Sequence, residues 1–341
     1  MIRIVIALYI VVQTLLLPLA ILGLLWISYK QLWVSRKLGV SQTMIEAFNG
    51  RWTMAAFGLY HDPAASRLAR VLPNNSVFGM WLILFPLFLL HKVTGRHLIY
   101  PRRPDPGTET IADLITVRTF AFDRLIEKHR DGAAQIVLLG AGLDTRAYGG
   151  LADSGLVPFE LDQPAEQGIK RRALARARID SDHVRFVEVN FGDGSWVQNL
   201  MDAGFDPSAR TIFLWEGVTL YLSEWDVRDT LTAIGSLAVP GSVILADFYG
   251  ARLLERVGRG TTKKMLEATG EKMGFGLDFA TAPDNALSAF VASASFDLGE
   301  RRFIGGAGGK GPFAVVTELL VPEASTHALG PDARGTQASG V

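Results

Sequence analysis

A chain of 341 residues has room for one large domain with additions. Its 34 basic and 34 acidic side chains balance, so it lacks the basic excess of a nucleic-acid-binding surface, and no nucleic-acid partner is expected. The absence of cysteine excludes disulfides, thiolate metal ligands and cysteine nucleophiles; six histidines with no His-x-x-x-His pair give no expected metal site.

An apolar fraction of 49% directs attention to membrane segments. Residues 4–29 carry no charge, and about 20 apolar residues suffice to cross a bilayer as a helix. Only Arg3 precedes the run, and Trp26-Ile27-Ser28-Tyr29 is a poor cleavage site, so a retained anchor over residues 1–30 is expected rather than a cleaved signal. Lys30, Arg36 and Lys37 follow it and place that end on the cytoplasmic side. Ser41 is positioned to cap a helix, and His61-Asp62-Pro63 reads as a turn. Residues 77–90 form a second apolar run, short for a span and interrupted by Pro86. The expectation is a segment over 77–93 that dips into or lies on the membrane, within a helical lid over 31–109. The protein is then single-pass or monotopic.

After the stiff connector at 101–106 the pattern becomes that of an α/β domain over 110–323. A helix is expected over 110–129, and strands over 136–139, 157–161, 184–189, 211–215 and 243–246, with helices between them. Two further strands are expected at 292–298 and 313–321, and a disordered tail from 324. The fold class is a doubly wound, mostly parallel Rossmann-like sheet.

Such sheets bind ligands beyond the carboxyl ends of their strands. Four ends here are polar or glycine-rich: Gly140-Ala141-Gly142-Leu143-Asp144, Glu160-Leu161-Asp162, Asn190-Phe191 and Glu216-Gly217. Asp162 follows the glycine turn by about twenty residues, where an acid can hold both ribose hydroxyls. A dinucleotide site wants a third glycine where Thr145 stands, and Asp144 is ill placed beside a pyrophosphate. S-adenosylmethionine, cationic and without phosphate, suits that turn better than NAD.

The segments "VLLGAGLDTRAY" (137–148), "FELDQP" (159–164) and "LWEGVTLYL" (214–222) resemble the leucine carboxyl methyltransferase-like family, as do "VRTFAFD" (117–123) and "ADFYG" (246–250). The resemblance implies an S-adenosylmethionine-dependent methyltransferase. By the same resemblance Gly140 and Gly142 pass under the methionine part of the cofactor and Arg118 pairs with its carboxylate. Glu216 lies near its amino group, Asp162 holds the ribose with Glu160 beside it, and Asn190 replaces an expected aspartate facing the adenine. Tyr221, His61 and His97 are the candidates for a general base. The expected function is a membrane-anchored O-methyltransferase on the carboxylate or hydroxyl of a lipid-soluble small molecule. A nicotinamide-dependent membrane reductase and a non-catalytic membrane scaffold are the alternatives. The oligomeric state is not readable from the sequence.

Overall fold

The computed structural model describes residues 2–191, 194–257, 267, 271–306 and 311–322; the tail expected from 324 lies outside them. The chain opens with an apolar helical rod: α1 (Ile2–Leu15), α2 (Leu17–Tyr29), a π-helical stretch (Lys30–Val34) and α3 (Ser35–Leu38). The helix therefore does not end at Tyr29, where the apolar run stops. Helix formation needs no apolar residue, and Gly39 in the left-handed region (φ 68°) closes it. Ser41 caps α4 (Gln42–Ala56) through Met44 N at 3.0 Å, and Asp62 caps α5 (Pro63–Leu68) through Ala65 N at 2.8 Å.

The second apolar run forms α6 (Val77–Thr94), within one residue of the segment expected over 77–93. Ser76 caps it, Pro86 stays inside it, and it runs through His91 and Lys92 to the left-handed Gly95. At 18 residues it is long and apolar enough to cross a membrane, as is the stretch Leu17–Leu38. Helix α6 lies antiparallel against α2. Gly23 and Gly79 let the backbones approach, for a Cβ on Gly23 would sit 2.7 Å from Gly79 O and 2.8 Å from Leu82 Cβ. Trp26 Nε1 donates to Ser76 Oγ at 3.0 Å, and Lys30 Nζ donates to Pro73 O at 2.8 Å. The opposite flank of α6 packs on the lid: Trp81 meets Trp52 edge-on, and Phe57 contacts Trp81, Phe88 and His91. Beyond α6, Arg102 clamps Asp113 at 2.8–2.9 Å and Arg103 stacks on Phe120. Both ends of α6 are thus fastened to the same body, and the helix lies along it.

The α/β part follows the expected order: α7 (Leu114–Arg130), β1 (Gln135–Leu139), β2 (Val157–Asp162), α8 (Pro164–Ala177), β3 (Arg185–Glu188), α9 (Trp196–Asp202), β4 (Thr211–Trp215), α10 (Glu224–Leu237), β5 (Val243–Tyr249), α11 (Ala251–Val257), α12 (Pro283–Ser293), β6 (Asp297–Ile304) and β7 (Ala314–Leu320). The seven strands lie in the order β3-β2-β1-β4-β5-β7-β6, with β1 to β5 parallel and β7 antiparallel to both its neighbours. Two departures from the sequence reading have physical causes. Residues 292–298 were expected as a strand, but Leu287, Phe290 and Val291 form the buried face of α12, and the strand starts at Asp297. That strand is charged over Glu300-Arg301-Arg302 because it is the sheet edge. Between β1 and β2 the chain forms only a 3-10 turn, Arg146–Tyr148, in place of an α-helix.

Two apolar cores cover the sheet, one built around Trp196, Trp215 and Phe248 and the other around Phe122, Ile136 and Leu245. A third, around Phe48, Trp52 and Leu174, joins the lid to α8.

Gly23→Val should overpack the α2–α6 contact and destabilise the protein by about 1–3 kcal/mol. A lowered melting temperature in detergent checks this; Leu22→Val, at a side chain 58% exposed, should leave it unchanged.

Candidate active site

Strand order reverses between β1 and β4, and the polar strand ends meet beyond that point. Gly140 (φ 72°), Gly142 (φ 47°) and Gly217 (φ 72°) occupy the left-handed region. A Cβ at Gly140 would meet Val218 Cγ2 at 2.5 Å, and one at Gly142 would meet Met44 Cγ at 3.1 Å. Met44 thus brings α4 down over the glycine turn as a lid. Asp162 is the first residue of β2 past the end of β1, since Leu139 pairs with Leu161. Its carboxylate accepts from Gly142 N at 2.6 Å and from Gln163 N at 2.8 Å. Burial raises the pKa of that carboxyl against these two backbone donors.

Glu160 does not join the cleft. In register with Leu138, it lies two residues short of the strand end and is 1% exposed. Lys170 Nζ holds it at 2.7 Å and the Tyr148 hydroxyl donates to it at 3.0 Å. Asp144 also has partners of its own. It accepts from Arg146 N at 2.7 Å, pairs with the Arg146 guanidinium, and lies 3.0 Å from Arg51 Nη1. Its charge is therefore answered by the chain's arginines and not held for a ligand. Because no α-helix starts after β1, the turn also lacks the helix N-terminus that receives a pyrophosphate.

Arg146 ties the cleft together, reaching Asp123 at 2.6 Å and Glu216 at 2.6 Å besides Asp144. Arg118 meets Glu216 at 3.0 Å, Asp247 at 3.4 Å and the Tyr249 hydroxyl at 2.7 Å, and lies against Gly217. Gly217 N donates to Asp247 at 2.9 Å. Burial acts to raise the Glu216 pKa, but Arg146 and Arg118 outweigh it and hold the group below its ordinary value. Burial outweighs Arg118 at Asp247, whose carboxyl is raised to about 6. Arg118 and Glu216, both expected at the cofactor's charged end, are adjacent. Arg51, Arg146 and Asp247 were not among the expected site residues. Asp247 directly follows the strand expected at 243–246, and Arg146 lies within the glycine motif; Arg51, on a lid helix, carries no such signal.

Five acids (Asp62, Asp123, Asp144, Glu216 and Asp247) meet three arginines (Arg51, Arg118 and Arg146) in this network. The surplus is negative and Asp162 adds to it, so the donor set fits a ligand that carries positive charge, as a sulfonium with an amino group does. The glycine cradle fits a ligand passing close to the backbone.

A cavity of about 340 Å³ opens beside this cleft, past the ends of β4 and β5. Tyr221 and Tyr249 line it together with α4, α7 and α11. Burial raises the Tyr221 phenol well above its ordinary value, which suits a hydrogen-bond donor and not a base. His61 is exposed on the turn before α5, and His97 stacks on His91 beyond α6; neither lines the cavity. Asn190 follows β3, and Phe191 packs on Trp196. Among the described residues no cluster of His, Asp and Glu could hold a metal ion.

The sequence pattern of the family described as leucine carboxyl methyltransferase matches residues 42–235, more than half of the chain. A putative S-adenosyl-L-methionine-dependent methyltransferase of Mycolicibacterium smegmatis is 37% identical over 172 residues, half of this chain and 56% of the relative. One of Mycobacterium avium is 30% identical over 217 residues, 63% of this chain and 68% of that one. The match thus spans between about half and two thirds of these relatives. A solved structure of an O-methyltransferase family protein from Burkholderia thailandensis aligns over 85% of this chain and 87% of its own, at 14% identity and a TM-score of 0.42.

Glu166, beside the lid, accepts from Ser41 N at 3.1 Å, and burial raises its carboxyl to about 7. The folded state then holds a proton between pH 4.5 and 7 that the unfolded chain releases, so this group's contribution to stability falls as pH rises through that window. Denaturant titrations at pH 5 and pH 8 should show Glu166→Gln gaining on the wild type at the higher pH, by on the order of 2 kcal/mol.

Proposed function

The chain belongs to the leucine carboxyl methyltransferase family, and on that premise we propose that it is an S-adenosylmethionine-dependent O-methyltransferase acting on a lipid-soluble small molecule at a membrane. The observation that carries the cofactor reading is the acid-rich strand-end cleft beneath Met44. Gly140, Ala141 and Gly142 lie beneath the methionine part, Asp162 takes the ribose, and Arg118 with Glu216 takes the amino acid end. The cofactor, when bound, supplies an activated methyl group. The protein aligns the acceptor with that methyl and keeps water away, which α4 achieves by covering the turn.

The membrane reading rests on the helical layer. Leu22, Leu24, Leu25, Trp26, Trp33, Phe78, Phe85 and Val93 are exposed, and only 17% and 22% of the two long apolar stretches are covered by protein. A contiguous apolar face of this extent calls for a nonaqueous partner. Arg36, Lys37, Lys92 and Arg96 are exposed at the layer's ends, where they meet anionic headgroups. Since both ends of α6 return to the same body, α6 lies in the plane of the cytoplasmic leaflet, and the layer as a whole is monotopic. An apolar acceptor then reaches the cavity from the bilayer.

Calorimetry should show binding of S-adenosylmethionine, weakened at least tenfold by Asp162→Ala and by Arg118→Ala in variants that still melt cooperatively. Unchanged affinity in both contradicts the site assignment. The full chain should float with vesicles containing anionic lipid and resist high salt. Leu24→Glu with Leu25→Glu and Trp33→Glu should release it, and a wild type that stays soluble without lipid or detergent contradicts the membrane reading.

A further inference from the structure

The cavity beside the strand ends is walled by Ile111, Leu114, Leu220, Leu253 and Met273, and among the described residues one carboxylate, Glu46, stands on its lining. Glu46 occupies the second turn of α4 and opens onto the cavity, and the Gln42 amide donates to it at 2.6 Å. The other polar groups there have different duties. The Tyr249 hydroxyl is engaged by Arg118 and Asp247, and the Tyr221 phenol stays protonated.

Among the described residues, the polar groups that act with Glu46 come from three places. Gln42 on its own helix supplies a neutral donor. Glu271, from the segment after α11, caps the start of α4 through Ser41 Oγ at 2.7 Å and Gln42 N at 3.2 Å, and adds negative charge. Tyr221, from the loop after β4, feels both acids and, beyond them, Arg118. Glu46 is solvent-exposed on its open side; its partial burial raises its pKa, and Glu271 raises it further against the Gln42 hydrogen bond. A carboxylate raised in this way is a better proton acceptor than one in water.

A carboxylate acceptor entering this space would meet the like charge of Glu46 on its lining, with that of Glu271 behind it at the start of α4. A hydroxyl acceptor would instead find a hydrogen-bond partner able to take its proton. Resting on the methyltransferase reading above, we propose that the acceptor is an apolar molecule bearing a hydroxyl group and that Glu46 is the base that deprotonates it. The acceptor's O–H pair becomes the new oxygen–methyl bond, the methyl–sulfur pair stays on sulfur, and the proton passes to Glu46 and then to water. The product is a methyl ether and not a methyl ester.

The test uses the full chain in lipid nanodiscs. With methyl-labelled S-adenosylmethionine and a membrane-lipid extract, the label should survive mild alkali; release as methanol marks an ester and overturns the inference. Glu46→Gln should lower turnover at least about a hundredfold, within the range for loss of a general base, while leaving S-adenosylmethionine affinity unchanged. A binding readout needs no turnover. In the presence of S-adenosylhomocysteine, the wild type should bind 4-ethylphenol at least about tenfold more tightly than 4-ethylbenzoate, and Glu46→Gln should close most of that gap. Equal binding of the two probes by the wild type overturns the proposal. A wild type that binds cofactor but gives an alkali-labile product overturns this inference alone. One that binds no cofactor overturns the reading beneath it as well.

Discussion

Arg146 is the constraint on which the rest of the site depends. A guanidinium almost wholly withdrawn from water must be answered by acids, and Arg146 draws them from α7 (Asp123), the glycine turn (Asp144) and the end of β4 (Glu216). Arg51 extends the network into the lid, and Arg118 extends it to the end of β5. No pair of these elements can shift without leaving a buried charge uncompensated. The strand ends, α4 and α7 are therefore held as one unit, and the glycine turn keeps its place beneath Met44. The same network carries more acid than base, which makes the cleft receptive to a cationic ligand before any lid motion.

The molecule divides its work by polarity. Polar and charged groups collect past the carboxyl ends of β1, β2, β4 and β5, on the cofactor side. Aliphatic side chains collect on α7, α11 and the loop after β4, around the cavity. Further out, α1, α2 and α6 present an apolar layer to the surroundings. The lid helix α4 touches all three zones: Met44 covers the glycine turn, Glu46 opens onto the cavity, and Trp52 packs against α6 through Trp81. On the proposed reading, a change in how α6 sits in lipid would reach the cofactor cleft through a single helix.

Much of this was legible in the sequence because strand ends announce themselves. An apolar run stopping at Gly140, Asp162 or Glu216 marks both the end of a buried strand and the start of the ligand surface. Glu160 shows where that reading fails. One polar residue at a strand end looks like another, and only the register with Leu138 reveals that Glu160 lies inside the sheet, where Lys170 answers it. Asp144 shows a second failure. Its charge was visible, but Arg51, ninety-three residues away in the chain, was not visible as its partner. The uninterrupted apolar run stops at Leu90 and looks short for a span, but α6 continues through His91 and Lys92 because Ser76 and Gly95 set its ends through the backbone.

The central claim is that the strand-end cleft beneath α4 holds the methyl donor. Amide hydrogen exchange with and without S-adenosylhomocysteine tests it most directly. Binding should slow exchange at the glycine turn, at Gln163, at Gly217 and along the first turns of α4, and leave the edge strand β6 unchanged. Binding with no protection at the glycine turn, or with protection confined to other parts of the sheet, would contradict it.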